Sequence, residues 1–122
     1  GSGNVICLDV LRAMQREPES LDAFRAELAA ARGADRRLDA MIQRLGDQLA
    51  DPSEAERRAR SLVEQMALAL QASLLVRFAP DYVADAFCAT RLSDDWGHCY
   101  GTLPVDTRQA QIVERAWPAA AA

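Results

Sequence analysis

The spacing of apolar residues between positions 36 and 50 restricts the fold of this chain more than any other feature. Each apolar side chain has another one three or four residues away, at Leu38, Met41, Ile42, Leu45 and Leu49. That interval puts them on one face of an α-helix and does not fit the two-residue alternation of a half-buried strand. Asp35 comes directly before the segment, where a carboxylate can cap the first turn. The pattern predicts a helix from about Arg36 to Ala50 with one face that must be covered.

Five more segments have helical patterns, and no segment has the pattern of a β-hairpin. The other predicted helices run over about Val5 to Arg16, Leu21 to Arg32, Pro52 to Phe78, Asp81 to Arg91 and Thr107 to Ala116. The residues predicted to cap four of them are Asn4, Ser20, Asp51 and Asp106. Because most connections are short, we expect an all-α, antiparallel bundle of about six helices.

Two of these helices have more apolar surface than a single contact needs. The first has seven apolar residues on about half of its circumference, whereas a surface helix usually has a stripe a little over ~100° wide. We therefore expect this helix to be covered from more than one side. The fourth is apolar nearly all round from Met66 to Val76, which predicts that this half is the central buried element. The same run is too short and interrupted to span a bilayer.

The charge balance argues against a dedicated nucleic-acid-binding domain. The chain has 14 basic residues, all arginine, against 18 acidic ones, which gives a net charge of −4. Binding to phosphates needs clustered positive charge, so any such role requires a local patch. Arg12 and Arg16 lie one helical turn apart, where like charges repel slightly and an anionic partner would help. The arginines at 32, 36 and 37 and at 57, 58 and 60 have acidic neighbours and indicate ion-paired surface instead.

The cysteines and the single histidine give no pattern of a metal or catalytic site. Cys7, Cys88 and Cys99 are odd in number and not at zinc spacing, so we expect reduced thiols in a cytoplasmic protein. His98 has no second histidine to share a metal, and its neighbour Cys99 is poorly placed to pair with it. We expect Trp96 and Tyr100 to pack their loop onto the bundle. No catalytic and no metal-binding residue is predicted.

The opening of the chain resembles a known family. Gly-Ser-Gly-Asn at residues 1–4, followed by Val-Ile-Cys-Leu-Asp-Val-Leu-Arg to residue 12, is similar to a stretch of acyl-CoA dehydrogenases. The form with Cys-Leu-Asp-Val-Leu-Arg resembles the AidB-like branch, which is associated with the adaptive response to DNA alkylation. The resemblance implies that residues 1–17 are the last helix of the dehydrogenase C-terminal bundle. Residues 18–122 would then be the further helical domain of that branch.

The resemblance also carries expectations about function. Ser2, Gly3 and Asn4 match the segment that contacts FAD in the family, and the catalytic glutamate precedes the residue matched by Gly1. We therefore expect FAD in the parent protein, and neither flavin nor catalysis in this chain alone. The implied partners are the remaining dehydrogenase domains, further copies of the chain and DNA. The alternative is a helical module for DNA binding or self-association without catalysis.

Overall fold

The computed structural model describes residues 2–51, 53, 55–93 and 101–118. Within these ranges the chain forms six α-helices and no β-strand. In chain order they are α1 (Ser2–Arg16), α2 (Pro18–Ala29), α3 (Arg36–Ala50), α4 (Ala55–Phe78), α5 (Asp81–Arg91) and α6 (Gln109–Ala116). The predicted all-α class is confirmed, and the number of helices agrees with the prediction over the described ranges.

Helix α4 is the central element, because α1, α2, α3 and α5 all pack against it. It buries mainly small side chains, which let neighbouring helices come close: Ala59, Leu62, Ala69, Ala72 and Ser73. The prediction that its second half is central is confirmed. That half is not covered all round, however, because Leu74 is 41% exposed and Phe78 is 72% exposed. One face of α4 therefore remains open near its end.

Helix α3 has the bounds that its spacing predicts. The Asp35 carboxylate caps it by accepting hydrogen bonds from the backbone N–H groups of Arg37, at 2.8 Å, and Leu38, at 3.4 Å. Its apolar face reaches the core, and Leu38 and Leu45 are among the most fully buried side chains described. The amphipathic pattern and the cap together account for this helix.

Two predicted caps at the start of the chain are wrong. Helix α1 begins at Ser2, so Asn4 lies inside it, and the side-chain oxygen of Asn4 accepts a long hydrogen bond from Arg60 instead. Helix α2 begins at Pro18, so Ser20 also lies inside its helix. Proline suits the first helical position because its ring fixes φ and its missing N–H would have no intrahelical partner there. The hydroxyl of Ser20 donates to Glu17 instead.

The caps predicted at Asp51 and Asp106 have different outcomes. Asp51 accepts a hydrogen bond from the Ser53 N–H at 2.9 Å, as a capping residue would. Residues 52 and 54 lie outside the described residues, and α4 is described from Ala55, so the cap predicted at Asp51 stays a prediction. Asp106 caps nothing, because the backbone around it forms turns and α6 begins at Gln109. The sequence predicted a helix start at Thr107, two residues too early.

The connection between α2 and α3 depends on Gly33. Helix α2 ends at Ala29, three residues before the predicted end, and residues 30–33 form turns. Gly33 has a φ of +81°, a conformation that residues with a Cβ rarely adopt. Its N–H donates to the Asp39 carboxylate at 3.1 Å. The turn buries Ala31 against the core.

One buried cluster joins helices α1 to α5. Cys7 and Leu11 of α1 belong to the same cluster as Leu62 of α4 and Leu92 at the end of α5. The division between residues 1–17 and 18–122 stays a prediction, since α1 shares its core with the helices that follow. No helix in the described ranges has the length and hydropathy that crossing a membrane requires.

Candidate functional site

Ser2, Gly3 and Asn4 form the first turn of α1. The backbone N–H groups in the first turn of a helix have no intrahelical partner, and the aligned peptide dipoles make that end positive. Ser2 and Asn4 are exposed, and Gly3 is half-buried. The turn therefore presents free donors to the surroundings, although it is part of the helix and not the loop before it.

Arg60 of α4 adds a positive charge at the same place. Its guanidinium donates to the Asn4 side-chain oxygen at 3.4 Å. A Cβ built on Gly3 would lie 2.6 Å from Nη1 of Arg60, so the guanidinium occupies space that any other residue at position 3 would fill. Asn4 and Arg60 line a small cavity together with Glu56 and Arg57, and its volume is about 220 Å³. A guanidinium beside free N–H groups is chemically suited to an anionic group such as a phosphate.

Sequence reasoning missed Arg60 as a site residue. It identified Arg60 only as part of a charged surface segment, because the contact with Asn4 joins residues 56 positions apart. No local spacing carries that information. The alternation of charge along the first half of α4 was visible, but it gave no reason to prefer Arg60 over its neighbours.

Arg12 and Arg16 lie at the other end of α1. Arg12 donates to the Asp9 carboxylate at 2.8 Å, and both side chains are 59% exposed. Arg16 is the last residue of α1 and is exposed, and a cation is favourable at a helix C-terminus. Positions 4 and 16 are roughly 18 Å apart along the helix axis. The structure therefore does not bring the predicted FAD-contact residues and the predicted DNA-contact residues into one site.

Two arginines of the groups predicted to form ion-paired surface are held by ion pairs inside the molecule. Arg37 pairs with Asp35 at 2.6 Å and with Asp85 of α5 at 2.7 Å. Arg58 donates to the backbone oxygens of Asp51 and Ser53, and its guanidinium lies 3.8 Å from the Asp51 carboxylate. The interpretation of these arginine groups as ion-paired surface is confirmed for Arg37 and Arg58.

The arrangement around Arg37 also determines the state of a buried thiol. Cys88 is fully buried, and burial together with the charges of Asp35 and Asp85 outweighs the opposing charge of Arg37 and raises the pKa of the thiol to about 11. At neutral pH the thiol is protonated, and a protonated thiol is a poor nucleophile. Cys7 is likewise buried, and both are free cysteines. These two cysteines have a packing role.

No cluster of three or more histidine, cysteine or acidic side chains that could hold a metal ion occurs in the part of the chain that the structure describes. Cys99 and His98 lie outside that part, as do Trp96 and Tyr100, so the predictions for their loop stay predictions.

Helix α1 leaves apolar surface uncovered. Only Cys7 and Leu11 are buried in it, while Val5 is 55% exposed and Ile6 is 59% exposed. The sequence predicted cover from more than one side, and the described residues supply cover on one side only. Adjacent exposed apolar residues mark surfaces where other protein packs.

Over 97 residues the chain is 32% identical to AidB of Escherichia coli (strain K12), which carries the name of an acyl-CoA dehydrogenase. The match covers 80% of this chain and 18% of AidB. The resemblance to AidB-like acyl-CoA dehydrogenases is thus confirmed well beyond residues 1–12. No protein-family model matches the chain, and no solved structure matches it.

Proposed function

We propose that this chain is the C-terminal helical end of an FAD-dependent acyl-CoA dehydrogenase-like protein of the alkylation-response type. In that protein it supports FAD binding and assembly and does not itself catalyse the reaction. Support comes from the similarity to AidB over 80% of the chain. The observation that carries the flavin role is the Arg60 guanidinium lying against Gly3 in the first turn of α1.

FAD contains a diphosphate, and the first turn of α1 has the donors that such a group requires. Ser2, Gly3 and Asn4 would contribute backbone N–H groups and short polar side chains, and Arg60 would contribute its positive charge. Gly3 has a specific role, because a Cβ there would displace the guanidinium. These residues bind and orient, whereas the bound flavin supplies the hydride acceptance that the family's reaction needs.

The exposed apolar side of α1 supports the assembly role. Val5 and Ile6 would pack against the remaining dehydrogenase domains, which the similarity to a much longer relative implies. Fully burying an exposed side chain of this kind contributes roughly 1.5–3 kcal/mol, and a little over half of each remains to be buried. We therefore assign the uncovered side of α1 to the contact with the rest of the parent protein.

The test is the visible absorption spectrum of the purified intact parent protein, beside that of this chain alone. Flavin bands in the parent and none in the 122-residue chain support the proposal. In the parent, Gly3→Ala and Arg60→Ala should each weaken FAD binding about tenfold, as expected when a charged hydrogen-bonding partner is displaced or lost. Arg44→Ala, an exposed change on α3, is the matched control.

The outcomes separate the parts of the proposal. A parent that purifies without flavin, and that added FAD does not bind, removes the dehydrogenase assignment altogether. A parent that binds FAD with unchanged affinity in both variants keeps the family assignment but removes the contact at α1. The Gly3→Ala change should leave the fold intact, since the displaced atoms are the far end of a flexible side chain.

DNA binding by the parent protein is the second candidate. The observation in its favour is the exposure of Arg12 and Arg16 at one end of α1, and the Asp9 carboxylate already neutralises part of the Arg12 charge. Fluorescence anisotropy of a labelled duplex with the parent tests it. Replacing both arginines by alanine should reduce the slope of log affinity against log salt by about two, one for each lost phosphate contact. An unchanged slope removes Arg12 and Arg16 as phosphate contacts, and a parent that does not bind the duplex removes this candidate.

A further inference from the structure

An apolar groove lies between α2 and α3, and nothing in the described chain fills it. Its floor consists of Phe24 and Leu28 of α2 and Ile42 and Leu45 of α3, and its volume is about 340 Å³. That volume is at the lower end of the roughly 300–1,000 Å³ typical of ligand pockets. We call this feature the α2–α3 groove.

The α2–α3 groove is open because of a glycine. Gly46 lines it in the middle of α3, and a Cβ built there would meet nothing within 4 Å. Glycine in a helix interior costs about 1 kcal/mol relative to alanine. The chain therefore carries an unfavourable residue at the point where a larger side chain would occupy the groove.

One side of the groove's rim is positively charged, and the other carries an amide and a carboxylate. Arg25 of α2 and Arg32 of the turn after α2 line one side, and Arg25 makes a long, exposed contact with Asp22 at 3.6 Å. The α3 side has Gln43 and Asp47, which hydrogen-bond to each other. An occupant that matches the groove needs an apolar edge with an acidic group toward α2.

Helix α6 has such an edge. None of its residues is buried, Val113 is 61% exposed, and Trp117, which directly follows the helix, is 77% exposed. Ala110, Val113 and Trp117 follow helical spacing and lie on one side, and Glu114 flanks that side. The other flank, which includes Ala116, is uncharged. Helix α6 is attached to the remaining helices through α5, where Arg108 pairs with Asp81 at 2.9 Å.

We propose that the α6 edge of one copy of this chain docks into the α2–α3 groove of a second copy. Trp117 and Val113 would fill the apolar floor beside Gly46, and Glu114 would face Arg25 and Arg32. Each copy has one edge and one groove, so two copies can satisfy both at once in a symmetric dimer. The charge complementarity between Glu114 and the two arginines selects a second copy as the occupant. This inference does not depend on the proposed flavin function.

Sedimentation velocity of the 122-residue chain over a range of concentrations tests the proposal. The wild type should form dimers, and Trp117→Ala and Gly46→Leu should each raise the dimer dissociation constant at least tenfold. Gly46→Leu blocks the groove without threatening the fold, since leucine favours a helix more than glycine does. Val105→Ala is the matched control, because Val105 is 101% exposed and lies outside both surfaces. Circular dichroism checks that helicity is kept.

A charge reversal makes the test specific. Glu114→Arg should weaken the dimer, and adding Arg25→Glu and Arg32→Glu to the same chain should restore it. A wild type that stays monomeric at millimolar concentration overturns the proposal, whether α6 is free or folds onto its own groove. A dimer that tolerates Trp117→Ala or Gly46→Leu also overturns it and points to another surface, such as Val5 and Ile6. Failure of the reversal to restore dimers removes the pairing with Glu114.

Discussion

Helices α3 and α6 are both amphipathic in sequence, yet only α3 is covered. Leu38 in α3 is 0% exposed and Leu45 is 1% exposed, whereas α6 buries none of its residues and Val113 is 61% exposed. Helix α3 has a carboxylate cap, and α6 begins after Arg108 with no side-chain cap. The two helices thus differ in the burial of their apolar face and in their N-terminal cap, and both features stabilise a helix in a protein.

The difference shows what an amphipathic pattern does and does not predict. It predicts a face that is stable only when covered, since most helical stability in proteins comes from packing of that face. It does not predict which segment supplies the cover. Helix α3 packs against α4 and α5 within the chain. Helix α6 contacts α5, where Arg108 directly before α6 pairs with Asp81, and leaves its apolar edge open. Its cover must come from elsewhere.

The largest expected effect is on the covered helix. Leu38→Ala should lower the free energy of unfolding by roughly 2–5 kcal/mol, because it deletes a buried side chain and leaves a cavity. Val113→Ala, a similar truncation on α6, should stay within about 0.5 kcal/mol in the monomer. Urea denaturation followed by circular dichroism at low protein concentration measures both. Similar losses of unfolding free energy in the two variants would show that α6 is covered in the monomer. They would contradict the difference described here between α3 and α6.

The next effect concerns the caps. Asp35→Ala should cost about 1–2 kcal/mol, since it removes the cap of α3 and one of the two carboxylates that pair with Arg37. Asp106→Ala is the matched control, because Asp106 precedes a helix that it does not cap. The same denaturation experiment applies. An equal loss at Asp106 would mean that α6 starts earlier and is better ordered than the structure shows.

The Asp35 cap also predicts a pH dependence. Burial alone would raise the pKa of the Asp35 carboxyl, but the hydrogen bonds and charge of Arg37 and the N–H of Leu38 together outweigh it and hold the pKa below the ordinary 3.8. A carboxyl with a lowered pKa contributes stability that is present above 3.8 and is lost as the pH falls through its lower folded value. The Asp35→Ala chain should therefore lose less stability than the wild type below pH 4.

Local signals predicted those parts of the fold that local contacts determine. The apolar spacing and the Asp35 cap of α3 involve residues within one helix, and both were predicted from the sequence. The caps at Asn4 and Ser20 were wrong because several residues near a helix start can serve, and the choice depends on contacts elsewhere. Helix α2 begins at Pro18, three residues before the start that the sequence predicted at Leu21.

The candidate site was less accessible to sequence reasoning. The likeness to AidB drew attention to Ser2, Gly3 and Asn4, but nothing local connected them with Arg60. The α2–α3 groove was not predicted either. A single glycine in a strongly amphipathic segment gives no sign that the space beside it is empty, as it is at Gly46. Contacts between distant residues determine both features, and a single sequence does not record them.

The smallest effect tests how α6 is attached. Arg108 pairs with Asp81 at 2.9 Å, and its guanidinium lies over the Tyr82 ring at 5.4 Å. The hydrogen bond from Arg108, with that from the Tyr82 N–H, lowers the pKa of the Asp81 carboxyl. Arg108→Ala should return this pKa toward its ordinary value, which an NMR titration of the Asp81 carboxyl would measure. Arg115→Ala, on the same helix, should leave it unchanged.

The loss of Arg108 should also free the start of α6. Amide hydrogen exchange in α6 should become faster while the midpoint of urea unfolding stays the same, because the cluster of buried residues includes none from α6. In the wild type the same acceleration should appear as the pH falls through the lowered pKa of Asp81, since protonation removes the charge that holds Arg108. Exchange that is insensitive to both changes would mean that other contacts hold α6 in the monomer. Its apolar edge would then be less free to dock than the contrast with α3 implies.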